Sequence, residues 1–276
     1  MLTGTRIAFI GGGNMAEALL AGLLRKGVAV AEHLTVSDPD VHRRELLAER
    51  FGVAVHADNR TAAQGAELVV FCVEPQVLDA VLDEVASSLQ SRPLVMSVAA
   101  GYPISRLQAH LKTATRLVRA MPNTPSTIGE GVTAMSMMPG LSSEDQARAR
   151  CLFESVGKVV VVEERLMDAV TGLSGSGPAY VFAMIEALAD GGVLMGLPRI
   201  TAQVLAAQTV AGAARMVLDQ GTQPAVLKDR VASPGGTTIA GLSSLEQGRL
   251  RATLMSAVTA AAQRSQELGK EESHHL

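Results

Sequence analysis

The sequence predicts an α/β protein in which a doubly wound, mostly parallel sheet is followed by an all-α domain. Two observations carry this prediction. Short apolar runs alternate with helical segments over the first 164 residues, and no strand-like run follows, although apolar residues still recur at helical spacing. We therefore predict an α/β domain over residues 1–164 and a helical domain over residues 165–276.

The predicted strands are continuous apolar runs, which are typical of parallel strands buried on both faces of a sheet. They lie at residues 6–10, 33–38, 53–56, 67–73, 94–98, 118–121, 132–135 and 159–162. Apolar residues at helical spacing predict helices between them, at residues 15–23, 41–50, 61–64 and 76–90. This alternation favours a sheet with helices on both faces.

The composition argues against several classes of protein. With 47% hydrophobic and 18% charged residues, the chain is globular rather than disordered. Its net charge of −3, without a basic block, argues against a nucleic-acid partner. No apolar stretch reaches the ~20 residues of a membrane span, and no signal peptide precedes the first strand. We therefore expect a cytoplasmic protein without a membrane partner.

Metal and disulfide chemistry are not expected. The six histidines show no ligand spacing and no Cys/His cluster is present, so we predict no metal site. Cys72 and Cys151 lie in apolar surroundings, and we expect core thiols rather than a disulfide.

A glycine-rich turn between the first strand and the first helix has the pattern Gly11-x-Gly13-x-x-Ala16. In this context the first glycine permits a tight turn and the second lets a pyrophosphate approach the backbone. The small third residue lets the helix pack on the strand, and the free N–H groups of the helix N-terminus favour an anion. The turn therefore predicts a Rossmann-type domain that binds a dinucleotide.

Asp38 ends the second predicted strand, where a carboxylate can accept hydrogen bonds from the adenine ribose and repel a 2′-phosphate. Arg43 and Arg44 follow closely, and they could instead bind that phosphate or form a solvated helix face. The cofactor is therefore predicted to be NADPH or NADH, with a tilt toward NADH.

Three later strand ends are expected to border the nicotinamide, because ligands of doubly wound sheets lie outside the carboxyl ends of the strands. These ends are residues 73–76, 97–101 and 121–125, where Asn123 stands between two prolines. Two further segments rich in Gly, Ser and Pro are predicted as loops whose backbone N–H groups could bind a substrate carboxylate. They are residues 172–180 and 231–238.

Taken together, these motifs resemble those of the pyrroline-5-carboxylate reductase family over essentially the whole chain. The most specific part is the stretch from Pro224 to Glu246, which is similar to the signature region of the family. The other matching segments are residues 9–16, 97–101, 121–125 and 175–180. The resemblance implies reduction of 1-pyrroline-5-carboxylate, a cyclic imine, to L-proline, the last step of proline biosynthesis. It also implies a helical dimerisation domain and a homodimer, often assembled further into a decamer.

The resemblance and the strand-end argument together predict the site residues. The cofactor is expected to contact Gly11, Gly13, Asn14, Met15, Asp38, Asn59, Val73, Glu74, Pro75, Ala99, Ala100 and Asn123. The substrate is expected to contact Glu164, Ser233, Gly236, Thr237 and Thr238. By the resemblance, Thr238 hydrogen-bonds the ring nitrogen, which makes it the predicted catalytic residue.

Two positions depart from the family pattern. Glu74 stands where the family usually has Lys, which removes positive charge beside the cofactor and weakens the case for NADPH. Arg230 stands where a polar residue such as Asn is common, and it could assist carboxylate binding or point to solvent.

Three other functions are consistent with parts of the sequence. A β-hydroxyacid dehydrogenase needs a catalytic Lys after its second Gly-x-Gly, and no Lys occurs between Lys158 and Lys228. A nucleotide sensor would have lost its chemistry, against which the intact 233–238 segment argues. A reductase of a related cyclic imine differs only in ring size, which the sequence leaves open.

Overall fold

The computed structural model describes residues 2–111 and 116–271. The two predicted domains also include residue 1, residues 112–115 and residues 272–276, which lie outside the described part. The chain divides into two compact units, one of Met1–Ser176 with Ala260–Leu276 and the other of Gly177–Thr259. This division does not test the predicted boundary between the two domains at residues 164 and 165, which stays a prediction.

All eight predicted strands are confirmed, and they form one sheet in the first unit. The strands are β1 (Ile7–Ile10), β2 (Leu34–Ser37), β3 (Ala54–His56), β4 (Leu68–Phe71), β5 (Leu94–Ser97), β6 (Leu117–Met121), β7 (Gly131–Met137) and β8 (Gly157–Val161). Their order is β3-β2-β1-β4-β5-β6-β7-β8, and only the β6–β7 pair is antiparallel. The order reverses between β1 and β4, so the switch point of the sheet lies beside the glycine-rich turn.

Helices accompany the strands of the first unit. They are α1 (Asn14–Arg25), α2 (Val41–Phe51), α3 (Asn59–Ala63), α4 (Pro75–Val85), α5 (Ile104–His110), α6 (Ser143–Glu154) and α7 (Met167–Val170). Neighbouring strand residues point into two separate apolar cores, as Phe9 and Ile10 do on β1. Both faces of the sheet are therefore covered, which confirms the doubly wound arrangement.

The second unit is built from helices only. They are α8 (Gly177–Leu194), α9 (Arg199–Gln220), α10 (Pro224–Val231), α11 (Thr237–Gln247) and the first half of α12 (Leu250–Glu271). Helices α8 and α9 approach closely because Gly192 has no side chain, and a Cβ there would lie 3.2 Å from the Cβ of Ala202. Residues 162–271 contain no strand, which confirms the predicted all-α region.

Few apolar side chains of this second unit are buried within it. Its buried core consists of Ala189, Ala202 and Ala206, with Ile185 and Val193 packed against them. Large apolar side chains such as Phe182, Leu194 and Ile200 are exposed. Within the described residues, no helix is long and apolar enough to cross a membrane.

Candidate cofactor and substrate site

The turn after β1 can be made only by glycine at its first position. Gly11 has φ +94°, and a Cβ there would lie 2.8 Å from Cγ1 of Val73 and 2.9 Å from the carbonyl carbon of Cys72. Gly13 is different, because it is exposed and no atom lies within 4 Å of the position a Cβ would take. The space above Gly13 is therefore open to a ligand.

Helix α1 begins at Asn14 directly after this open position. Gly13 is its N-cap and makes no side-chain capping bond, while Asn14 is exposed and Met15 half-buried. The first N–H groups of a helix carry partial positive charge and attract phosphate. The turn and the helix therefore fit the pyrophosphate of a dinucleotide.

Asp38 fixes the glycine-rich turn from the end of β2. Its Oδ2 accepts a hydrogen bond from the Gly12 N–H at 2.8 Å, and its Oδ1 accepts one from the Asp40 N–H at 2.9 Å. A Cβ on Gly12 would lie 2.9 Å from Cδ1 of Leu47, so this turn is also closely packed. A half-buried carboxylate thus lies next to the predicted cofactor turn.

Arg43 and Arg44 of α2 are held by protein partners. Arg43 donates to the Gly12 carbonyl and to the Glu17 carboxylate, which Arg50 also contacts. Arg44 donates through Nη1 to the carbonyl oxygens of Asp38 at 2.7 Å and Pro39 at 2.9 Å. The observed bonds thus support the loop around Asp38, and binding of a 2′-phosphate by either arginine stays open.

Asn59 and Glu74 lie at the N-termini of the helices that follow β3 and β4. Asn59 begins α3, is half-buried and donates from Nδ2 to Oε2 of Glu84 at 2.8 Å. Glu74 is the N-cap of α4, is exposed and makes no capping hydrogen bond, while Pro75 is the first residue of that helix. Their contacts with a cofactor stay predictions.

The segment after β5 is closely packed. Ala99 is buried and its N–H donates to the Ser97 hydroxyl at 3.3 Å, while Ala100 is half-buried.

Gly101 has φ +71°, and Tyr102 after it is fully buried and donates to Oδ1 of Asp79. Burial and the Asp79 carboxylate raise the pKa of Tyr102, so the phenol stays a hydrogen-bond donor.

Asn123 uses both ends of its amide within the protein. Its Nδ2 donates to the Ser174 carbonyl at 3.1 Å, and its Oδ1 accepts from the Val132 N–H at 2.9 Å. The side chain therefore holds β7 and the segment around Ser174 in place. Its predicted contact with the cofactor stays a prediction, and the geometry favours a supporting role.

The first of the two predicted anion-binding loops is not a loop. Thr171–Gly175 form a π-helix between α7 and α8, and the Ser176 N–H donates to the Thr171 carbonyl at 2.8 Å. Gly175 packs on β6, since a Cβ there would lie 2.5 Å from Cε of Met121. The Gly and Ser content that predicted a loop instead permits this close packing. Single π-turns within helices are frequent at functional sites.

Glu164 lies half-buried just before α7. Its Oε1 accepts a hydrogen bond from the Ile104 N–H at 2.5 Å and lies 3.7 Å from Nη1 of Arg119. Both contacts are with the protein, and the predicted contact with the substrate stays a prediction. Arg119 is not among the predicted site residues, although a charged residue inside an apolar strand is a signal that the sequence contains.

The second predicted loop is present between α10 and α11. Gly236 is the N-cap of α11, and a Cβ there would lie 2.3 Å from the Ser233 hydroxyl. Thr237 is exposed and Thr238 half-buried, both in the first turn of α11, which no side chain caps. Exposed N–H groups and hydroxyls at a helix N-terminus suit a carboxylate. The structure places Ser233, Gly236, Thr237 and Thr238 in this turn, as predicted.

Neither cysteine forms a disulfide within the described part of the chain. Cys72 and Cys151 are free and half-buried. Desolvation raises the pKa of the Cys72 thiol to about 12, so it is protonated at neutral pH. Within residues 2–111 and 116–271, no three His, Cys, Asp or Glu side chains are grouped to hold a metal ion. The absence of a metal from the reaction stays a prediction.

Comparison with known proteins identifies the family. The model for "Pyrroline-5-carboxylate reductase dimerisation" matches residues 164–268, and the model for "NADP oxidoreductase coenzyme F420-dependent" matches residues 6–101. A pyrroline-5-carboxylate reductase of Synechocystis is 49% identical over 265 residues, which cover 96% of this chain and 98% of that protein.

Solved structures agree with the sequence matches. The pyrroline-5-carboxylate reductase of Coxiella burnetii superposes with a TM-score of 0.90 at 37% identity, covering 96% of this chain and 98% of that one. The pyrroline carboxylate reductase of Plasmodium falciparum, solved with NADP bound, has a TM-score of 0.87 at 32% identity, with the same shares covered. The chain therefore belongs to the pyrroline-5-carboxylate reductase family.

Proposed function

We propose that this chain reduces 1-pyrroline-5-carboxylate to L-proline with NADH or NADPH. The observation that carries the proposal is the agreement with named reductases over 96% of the chain. The glycine-rich turn at the switch point of the sheet is an argument for a dinucleotide cofactor, because it leaves open the space that a pyrophosphate needs. When bound, the nicotinamide supplies a hydride to the imine carbon.

The cofactor is proposed to lie along the carboxyl ends of the strands. Gly11, Gly13, Asn14 and Met15 bind the pyrophosphate, and Asp38 and Asn59 lie beside the adenine ribose. The nicotinamide half is bordered by Val73, Glu74, Pro75, Ala99, Ala100 and Asn123. The close contact between Gly11 and Val73 supports this, since it brings the ends of β1 and β4 together.

The substrate is proposed to bind the turn before α11. Ser233, Gly236 and Thr237 take the carboxylate, and the Thr238 hydroxyl contacts the ring nitrogen. A protonated imine is already electrophilic and can take its proton from solution, so a strong general acid is not required. The protein has to hold the ring carbon about 3–3.5 Å from the hydride donor.

A second copy of the chain is the proposed partner. The helical unit exposes Phe182, Leu188, Leu194 and Ile200, and apolar side chains in this number on one small unit are typical of a protein interface. The dimerisation family model covers the same helices, from residue 164 to residue 268. We propose a homodimer in the cytoplasm, with a decamer as its further assembly.

The test is oxidation of NADH and of NADPH, followed in parallel at the nicotinamide absorbance with pyrroline-5-carboxylate as substrate. Turnover with either cofactor is expected, whereas nucleotide binding without turnover would contradict the proposal and favour a sensor. The matched control is the six-membered cyclic imine carboxylate, for which kcat/KM should be lower. A 3-hydroxy acid offered with NAD⁺ tests the dehydrogenase alternative and should give no product.

A further inference from the structure

A buried arginine lies inside the sheet of the first unit. Arg119, on β6, has a side chain that is 6% exposed, and its guanidinium lies 3.7 Å from Glu164 and 3.6 Å from Asp168. Desolvation lowers the pKa of Arg119, while the Asp168 and Glu164 carboxylates act to raise it. Because a buried cation is costly without such partners, Arg119 constrains where both carboxylates can lie.

Glu164 connects Arg119 to the segment proposed to border the nicotinamide. Its Oε1 accepts the hydrogen bond of the Ile104 N–H at 2.5 Å. Ile104 is the first residue of α5 and follows Ala99 and Ala100 by only a few positions. The ion pair therefore holds the end of residues 99–104, which we call the nicotinamide segment.

Asp168 connects Arg119 to the last helix. The hydroxyl of Ser265, on α12, donates to Oδ1 of Asp168 at 2.7 Å, and Ser265 is buried. Residues 260–271 of α12 belong to the same compact unit as the sheet. The hydrogen bond thus fixes this half of α12 relative to β6.

The backbone of α12 packs directly on the nicotinamide segment. A Cβ on Gly101 would lie 3.1 Å from the Ser265 carbonyl oxygen, and a Cβ on Gly269 would lie 2.6 Å from the Gly101 carbonyl oxygen. At such distances no side chain fits between the two backbones, so a displacement of α12 has to displace Gly101.

We propose that the second half of α12 supports the nicotinamide segment, with Arg119, Ser265 and Gly269 as positioning residues for the nicotinamide. This inference rests on the proposed function in one respect, that Ala99 and Ala100 border the nicotinamide. Loss of this support should therefore weaken binding of the nicotinamide half of the cofactor and leave binding of the adenine half unchanged. The adenine half of the cofactor is proposed to contact Asp38 and Asn59, whereas the contacts given above for Ser265 and Gly269 are with Asp168 and Gly101.

The experiment compares two ligands on the full-length oligomer. NADH carries the nicotinamide, whereas ADP-ribose carries only the adenosine, pyrophosphate and second ribose. In Ser265→Ala and Gly269→Ala, we expect the Kd of NADH to rise about fivefold and that of ADP-ribose to stay within about twofold. The control is Gln266→Ala, an exposed neighbour on the same helix, which should change neither Kd.

Two results would overturn the proposal. One is an unchanged NADH affinity in both variants, and the other is an equal loss of NADH and ADP-ribose affinity, which indicates general destabilisation. If Gly269→Ala does not fold, Ser265→Ala still decides, because it removes a hydroxyl without adding volume. Failure of the proposed function is seen separately, as wild-type protein that binds NADH without reducing pyrroline-5-carboxylate.

Discussion

The Asp38 carboxylate accepts the Gly12 N–H at 2.8 Å, so the residue that ends β2 also shapes the turn that follows β1. The Asp38 side chain is thereby held beside the proposed ribose position. Arg43 contacts the Gly12 carbonyl and the Glu17 carboxylate, and Arg44 contacts the carbonyl oxygens of Asp38 and Pro39. We expect a preference for NADH on this ground, because a fixed carboxylate repels a 2′-phosphate.

Asp38→Asn is therefore expected to shift the cofactor preference toward NADPH. The single amide oxygen can keep the bond to the Gly12 N–H at the expense of that to the Asp40 N–H, and the charge is removed. The ratio of kcat/KM for NADPH to that for NADH should therefore rise roughly fivefold or more. Asp40→Asn is the control, since Asp40 caps α2 through the His42 N–H and lies outside the proposed site. A ratio that changes equally in both variants would contradict a charge effect specific to Asp38.

Gly13→Ala should separate binding from folding. No atom lies within 4 Å of the added Cβ, and the backbone at Gly13 (φ −65°, ψ −172°) is open to any residue. We expect the free energy of unfolding to fall by less than about 1 kcal/mol, while the methyl group enters the pyrophosphate space and raises the Kd of NADH at least about tenfold.

Gly11→Ala is the contrasting variant for that experiment. Its Cβ would meet the Cys72 backbone at 2.9 Å, at a φ of +94°, so it should lower the melting temperature as well as the affinity. If Gly13→Ala instead binds NADH with wild-type affinity, the pyrophosphate does not lie over this turn.

The Asp145 carboxylate should contribute stability that depends on pH. Hydrogen bonds from Arg116 hold the pKa of Asp145 below its ordinary value, and the Asp145 side chain is only 8% exposed. Because the folded pKa is lower than the unfolded value of about 3.9, this contribution is complete above that value and is lost as the pH falls through the folded pKa.

Asp145→Asn is therefore expected to lower the free energy of unfolding by about 3 kcal/mol at pH 7, and by less at a pH below the unfolded pKa of about 3.9. Denaturant unfolding at the two pH values measures the difference. Glu144→Gln on the same helix is the control, because its exposed pair with Arg148 should contribute under about 0.5 kcal/mol. A loss in Asp145→Asn that is independent of pH would argue against the ion pair as its source.

The strands and the glycine-rich turn could be predicted because their signals are local. Continuous apolar runs and the spacing of Gly11 and Gly13 report on backbone geometry within a few residues. The sequence predicts a loop over residues 172–180 because glycine and serine usually indicate turns, whereas Thr171–Gly175 form a π-helix. Packing of Gly175 on Met121, which a one-dimensional pattern does not contain, requires the small residues instead.

The cluster of Arg119, Glu164, Asp168 and Ser265 could not be predicted for the same reason. Its members are separated by up to 146 positions and meet only in the folded unit. Helical periodicity identifies α12 as a helix, but it does not say which unit each half packs against. The sequence shows that Asn123 stands between two prolines, but only its observed bonds to Ser174 and Val132 show what it holds.

Thr238 is the residue on which the proposed chemistry depends most. Its hydroxyl, half-buried in the first turn of α11, is proposed to contact the ring nitrogen, whose charge changes during hydride transfer. Thr238→Ala should lower kcat/KM about tenfold or more, and Thr238→Ser should restore most of it. Ser243→Ala, at an exposed position on the same helix, should leave kcat/KM unchanged. Unchanged kcat/KM in Thr238→Ala would show that the nitrogen is held by another group, and a loss that serine does not restore would assign the effect to packing of the methyl group rather than to the hydroxyl.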